Sequence, residues 1–139
     1  SIPLVEKLGL DSTLKLNGPV SYIREKYQES SIFVLCSRFE GLPLVLMEAM
    51  STGLPSVSFT CPCGPRDIVQ DGEDGILCEN GNIKSLAAGI CRLIEDELLR
   101  KEMGRKAAQS IQRFTIDRIM QQWDQLFQEI VRKNRADNT

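Results

Sequence analysis

Glu40 and Glu48, with seven residues between them, are the pair of side chains in this sequence best placed to do chemistry. The stretch that joins them begins Gly41-Leu42-Pro43-Leu44-Val45. Glycine lets a backbone turn tightly and approach a ligand closely, and proline suits the first position of a helix, where its missing N–H costs nothing. A helix opening at Pro43 would leave the N–H groups of Leu44 and Val45 outward at the positive end of the helix dipole, a seat for phosphate or pyrophosphate. A carboxylate on either side of that seat accepts hydrogen bonds from pairs of hydroxyls. The pattern suits an elongated ligand with phosphates in the middle and hydroxyl-bearing rings at both ends. A hydrolytic pair fits less well, because the helical rise over this spacing is roughly 12 Å, beyond the roughly 5 to 9.5 Å between glycosidase carboxylates. Arg66 is a further candidate, either for phosphate or sugar contact or for a surface ion pair.

The elements that must hold these residues alternate between short apolar runs and helical patterns, the signature of parallel strands joined by crossover helices. Residues 13–16 read as a strand closed by the turn Asn17-Gly18-Pro19, and 22–29 as a helix. Residues 32–36 form a continuous apolar run, typical of a strand buried on both faces. A helix over 43–51, ended by Gly53, and a strand over 55–59 should follow. Beyond the loop at 61–65, a short helix near 67–70 and the turn-rich 71–75 lead to a last strand, 76–78. The candidate site directly follows the strand at 32–36 and so lies at its carboxyl end, where open α/β sheets bind ligands.

From Ile83 onward the pattern is helical only. Ile83, Leu86, Ala87, Ile90, Leu93 and Ile94 recur at helical spacing, and so do Ile116, Ile119, Met120, Trp123, Leu126, Phe127, Ile130 and Val131. Between them, residues 98–114 form an amphipathic stretch with Leu98, Leu99, Met103, Ala107 and Ile111 inward. The Trp123 face reads as packing surface, against the sheet or against a neighbouring lobe. Residues 1–133 are expected to form one domain and 134–139 a polar tail that frays.

Composition narrows the class. At 139 residues, 42% hydrophobic, with 17 basic and 19 acidic side chains, the chain is one ordinary globular unit. Scattered basic residues give no face for nucleic acid, and no run approaches the roughly 20 apolar residues of a membrane span. Five unevenly spaced cysteines without any histidine point to a reducing compartment rather than to a disulfide framework or a zinc site. The acids at 71–74 lack the spacing of a calcium loop and read as a turn.

The setting Ser37-Arg38-Phe39-Glu40-Gly41, with Glu48-Ala49-Met50 and then Gly53-Leu54-Pro55, resembles the E-x7-E signature of the family 4 (group 1) retaining glycosyltransferases. Asn17-Gly18-Pro19-Val20 resembles that family's base-binding loop, and Gly64-Pro65-Arg66-Asp67-Ile68-Val69 with Asp74-Gly75-Ile76-Leu77 resembles another of its stretches, though the family often has Glu where Asp67 stands. The resemblance covers residues 4–123. It implies an α/β, Rossmann-like parallel sheet with flanking helices, the carboxyl-terminal lobe of a two-lobed GT-B enzyme. It further implies that Glu40 holds hydroxyls of the donor sugar, that Glu48 holds the ribose, and that Gly41, Leu42, Leu44 and Val45 seat the diphosphate. Gly18, Pro19 and Val20 would flank the base, and Arg66 would reach phosphate or sugar. Retention through a front-face substitution is implied, with Glu40 positioning rather than attacking and with neither metal nor cofactor.

The family's Arg and Lys that grip the diphosphate have no counterpart here, and neither does its acceptor-binding lobe, so the resemblance implies a donor-binding part of a longer enzyme that does not turn over alone. The implied partners are a nucleoside diphosphate sugar, with UDP as the commonest base, and a glycan or lipid-linked acceptor in bacterial surface polysaccharide synthesis at the cytoplasmic face of the membrane. Two other readings remain: a module of the same fold that serves only in nucleotide binding or assembly, and a lobe of a nucleotide-sugar epimerase.

Overall fold

The computed structural model describes residues 2–136. After α1 (Ile2–Lys7) and α2 (Ile23–Glu29), the chain alternates β1 (Phe33–Leu35), α3 (Leu44–Ser51), β2 (Ser56–Phe59), α4 (Pro65–Ile68) and β3 (Gly75–Cys78). It then continues through α5 (Ile83–Glu95), α6 (Glu97–Ser110), a 3-10 turn (Ile111–Phe114) and α7 (Ile116–Ala136). The three strands form one parallel sheet in the order β1-β2-β3. Val34 lies opposite Val57, which in turn lies opposite Ile76. Parallel neighbours need a crossover, supplied by α3 between β1 and β2 and by α4 between β2 and β3. This is the helix-flanked α/β sheet that the alternating pattern implied.

β2 is buried at every position, as the central strand of a covered sheet must be. Its side chains alternate between faces. Val57 and Phe59 pack with Cys78, Leu86, Leu93 and Met103 in one core cluster. Leu35, Leu46, Met50, Ile68, Val69, Ala107 and Ile111 make another. Each fully buried aliphatic side chain of this kind contributes about 1.5–3 kcal/mol, so the two clusters dominate the fold's stability. The last helices are fixed at their starts by local chemistry. The Asn82 side chain accepts from the Ser85 N–H at 3.0 Å and Asp96 from the Leu99 N–H at 2.9 Å, satisfying amides that open α5 and α6. Gly104 lets α6 close on the turn after α3, since a Cβ there would stand 2.2 Å from the Gly53 carbonyl oxygen.

Several expectations need correction. Residues 13–16 form no strand. The Thr13 and Leu14 N–H groups bond back to the Leu10 carbonyl in a turn, and no neighbouring strand among the described residues pairs with this segment. β1 is therefore an edge strand, shorter than the 32–36 run, and Val34 is 38% exposed rather than buried on both faces. α3 begins at Leu44, with Pro43 as the residue before it. The short helix sits at Pro65–Ile68 rather than 67–70, because Gly64 turns the chain at φ +90° and Pro65 opens the helix. Leu98, expected inward, is 82% exposed in the first turn of α6. The apolar stripe of α7 does not pack on the sheet: Trp123 is 49% exposed and meets Phe127 at 5.5 Å between ring centroids. α7 also runs through Asn134 to Ala136, residues expected in a frayed tail, while 137–139 lie outside the described residues.

Candidate functional site

The loops that leave β1 and β2 at their carboxyl ends meet. Gly64, held at a φ that side-chain-bearing residues rarely adopt, lies so close that a Cβ on it would stand 2.7 Å from Pro43 Cδ and 3.0 Å from the Gly41 oxygen. The turn at Gly64 is closed by its own N–H, which donates to the Asp67 carboxylate at 3.2 Å. Gly41 has a different role from the one its type suggested. Its φ is not positive, and a Cβ on it would meet nothing within 4 Å, so its open side faces space rather than packed chain.

Glu40 is half-buried between these loops. Beneath it is Cys61, fully buried just beyond β2, with its thiol pushed up first by burial and further by the negative charge of Glu40. The residue two along, Cys63, is exposed and holds a positive φ of 64°.

At the start of α3 the expected pair of outward donors is reduced to one. The Leu44 N–H bonds to the Leu42 carbonyl at 2.9 Å, and those of Leu46 and Met47 turn back to Pro43. The Val45 N–H has no acceptor among the described residues. One turn further along, the exposed Glu48 carboxylate accepts a hydrogen bond from the Tyr27 hydroxyl at 3.2 Å. Tyr27 itself is 6% exposed. Its phenol is raised by burial, and then by the charge and hydrogen bond of Glu48, so it stays a donor. Ile23, Arg24, Tyr27, Glu48, Ser51 and Thr52 line a cleft of about 320 Å³ between α2 and α3.

The structure thus joins Gly41, Pro43 and Gly64 in one contact, places Glu40 over Cys61, and sets Glu48 in a cleft against Tyr27. Gly18, Pro19 and Val20 are exposed in the irregular segment before α2, and among the described residues no hydrogen bond ties them to Glu48. Arg66 is exposed on α4 and makes no ion pair among the described residues. The acids at 71–74 are structural. Asp71 accepts from the Leu77 N–H at 2.8 Å, and buried Asp74 accepts from the Gln70 N–H at 2.7 Å and from the Ser110 hydroxyl.

Sequence reasoning missed Tyr27. The signal was there, a lone aromatic in the otherwise polar helix Ile-Arg-Glu-Lys-Tyr-Gln-Glu, where an inward-facing ring is the expected cause. Chemically, the arrangement suits holding rather than attack: an oriented carboxylate, an unpaired amide at a helix start, and a half-buried acid across a shared loop contact.

The pattern that defines the family of glycosyl transferases group 1 matches residues 2–110. An exopolysaccharide phosphotransferase of Streptomyces coelicolor is 40% identical over 129 residues, which is 92% of this chain and 14% of that protein. TarM of S. aureus superposes with a TM-score of 0.84 at 30% identity, over 91% of this chain and 26% of its own. Anabaena HepE, solved in complex with UDP, gives 0.83 at 27% identity, over 92% of this chain and 35% of its own. The fold these share with the present chain is the Rossmann-like carboxyl-terminal lobe of GT-B enzymes.

Proposed function

Because this chain belongs to the glycosyl transferases of group 1, we propose that it is the donor-binding domain of a retaining enzyme that moves a sugar from a nucleoside diphosphate, most simply UDP, to a glycan or lipid-linked acceptor. The chain spans only 14% to 35% of the length of the relatives named above. The observation that carries it is Glu48: a carboxylate set in a cleft one turn below the unpaired Val45 N–H, at the carboxyl end of a parallel sheet.

In this reading Glu48 accepts hydrogen bonds from the two ribose hydroxyls, and the Val45 N–H with the α3 dipole meets a diphosphate oxygen. Gly41 offers the open backbone edge against which the donor lies. Glu40 holds hydroxyls of the sugar and fixes its orientation for front-face attack by the acceptor. Gly18, Pro19 and Val20 flank the base through backbone groups, and exposed Arg66 swings to phosphate or sugar. The diphosphate is held without a metal or other cofactor. UDP complexes of HepE and TarM support a uridine donor, and five free cysteines support a reducing, cytoplasmic setting. Among the described residues no helix is long and apolar enough to cross a membrane.

A second reading is a module of this fold used only in assembly; the 40% identical phosphotransferase, of which this chain spans 14%, carries such a segment within a much longer protein. Calorimetric titration of the chain with UDP, GDP and ADP, in the presence of a chelator, separates the two. The donor reading expects one nucleotide to bind and Glu48→Ala to weaken it about tenfold or more, the loss of charged hydrogen bonds. Equal binding by Glu48→Ala refutes the role given to Glu48, and no binding of any of the three nucleotides refutes the donor reading in favour of the assembly module.

A further inference from the structure

Resting on the donor reading, we propose that Tyr27 is the positioning residue for Glu48, fixing the carboxylate so that its free oxygen and remaining lone pairs present to a vicinal diol.

A glutamate on an exposed helix face samples several rotamers, and ordering it on ligand binding carries an entropic cost. Here that ordering is built in beforehand. The Tyr27 hydroxyl donates to Oε2 of Glu48 at 3.2 Å, from a helix 21 residues earlier in the chain. A carboxylate has two oxygens and about four acceptor positions, so one phenolic donor leaves Oε1 and part of Oε2 free. The phenol is itself immobile. Its ring is buried with Ala49 and Leu54 and meets Phe33 edge-on, with 6.0 Å between centroids and planes at 82°. Its rotamer is set by the core, so the core in turn sets Glu48.

The contact also places the diol. Ile23 and Arg24, one turn before Tyr27, and Ser51 and Thr52, just past Glu48, complete the walls of the same cleft. A ribose at Glu48 would therefore sit with its hydroxyl edge toward the Tyr27–Glu48 pair. Phenylalanine at position 27 would keep the ring, the edge-on contact and the burial, and remove only the donor.

The test uses the 139-residue chain with two probes, UDP and its 2′,3′-dideoxy counterpart, measured by calorimetry. Tyr27→Phe is expected to weaken UDP roughly three- to tenfold, the range of one hydrogen bond, and to leave the dideoxy compound unchanged. Combined with Glu48→Ala, Tyr27→Phe should add no further loss, because the group it positions is gone. Equal weakening of both probes, or additive losses in the double variant, would show a packing role and overturn the inference. So would unchanged UDP binding by Tyr27→Phe where Glu48→Ala loses it, while the donor reading survived. If Glu48→Ala binds UDP as the parent does, the role given to Glu48 fails and takes this inference with it.

Discussion

Replacing Asp74 should cost this domain a large part of its stability, and the amount follows from what the carboxylate holds. Asp74 is 1% exposed at the turn into β3. One oxygen accepts the Gln70 N–H at 2.7 Å, closing the 70–75 turn. The other accepts the Ser110 hydroxyl at the end of α6 and stands 3.9 Å from the Arg113 guanidinium. Arg113 in turn donates to the carbonyls of Ile68 and Ser110, so Asp74 and Arg113 together tie the 70–75 turn, the end of α6, the 3-10 turn and α4. Asp74→Ala removes two charge-assisted hydrogen bonds and leaves a part-buried amide and hydroxyl without their acceptor, each bond worth about 1–3 kcal/mol. The total is about 3–5 kcal/mol, in line with the breaking of a buried charged network. Asp74→Asn keeps a carbonyl for Gln70 and lets the hydroxyl reverse its role, for about 1–2 kcal/mol, and Ser110→Ala about 1 kcal/mol. Equilibrium urea unfolding, read by the fluorescence of Trp123 and by far-ultraviolet dichroism, measures all three. A cost for Asp74→Ala below about 1 kcal/mol would refute the reasoning, because the Gln70 N–H and Ser110 hydroxyl would then have found acceptors elsewhere.

Three further outcomes are expected. Gly104→Ala should destabilise by about 3 kcal/mol in the same assay, because the new Cβ meets a backbone carbonyl that cannot step aside. With a thiol reagent under native conditions, Cys36, Cys63 and Cys91 should react quickly, while buried Cys61 and Cys78 wait for unfolding; fast labelling of all five would contradict the burial. Finally, Tyr27 is held protonated in the folded chain, so its folded value lies above the unfolded one. The stability this gives is fully present below the ordinary tyrosine range near 10 and is lost as pH climbs through the folded value. Unfolding measured across alkaline pH should show a fall that Tyr27→Phe lacks.

Much of the arrangement was legible in the residues because it rests on local rules. The strands read at 32–36, 55–59 and 76–78, punctuated by Pro43, Gly53 and Gly64-Pro65, agree with the observed ones to within a residue at each end. Glu40 and Glu48 were visible from spacing around a helix start. What escaped depends on neighbours far along the chain. Residues 13–16 have strand-like types, yet a strand exists only where another lies beside it to share amides, and nothing in a short window reports that partner. The Leu44 N–H looked free because a helix start leaves its first amides unpaired, but the Gly41–Pro43 turn is tight enough for the Leu42 carbonyl to claim it. The Tyr27–Glu48 bond joins two helices through the fold of β1 between them, a contact no periodicity encodes. Leu98 and the α7 stripe kept the helical spacing of core residues while lying in the open, since spacing tells which residues share a face and not what that face meets.

The meeting of Gly64 with Gly41 and Pro43 bears on how this chain tolerates change in length. Surface loops usually accept inserted residues at small entropic cost, and the segments between β1 and α3 and between β2 and α4 look like ordinary places for that. They are instead two halves of one clasp, each cut to the other's length. An added residue in either would lift the Gly64 turn off the proline ring, and the half-buried acid on one side and the exposed arginine on the other would drift apart together. Deletions and insertions should therefore be tolerated in this region only in matched pairs.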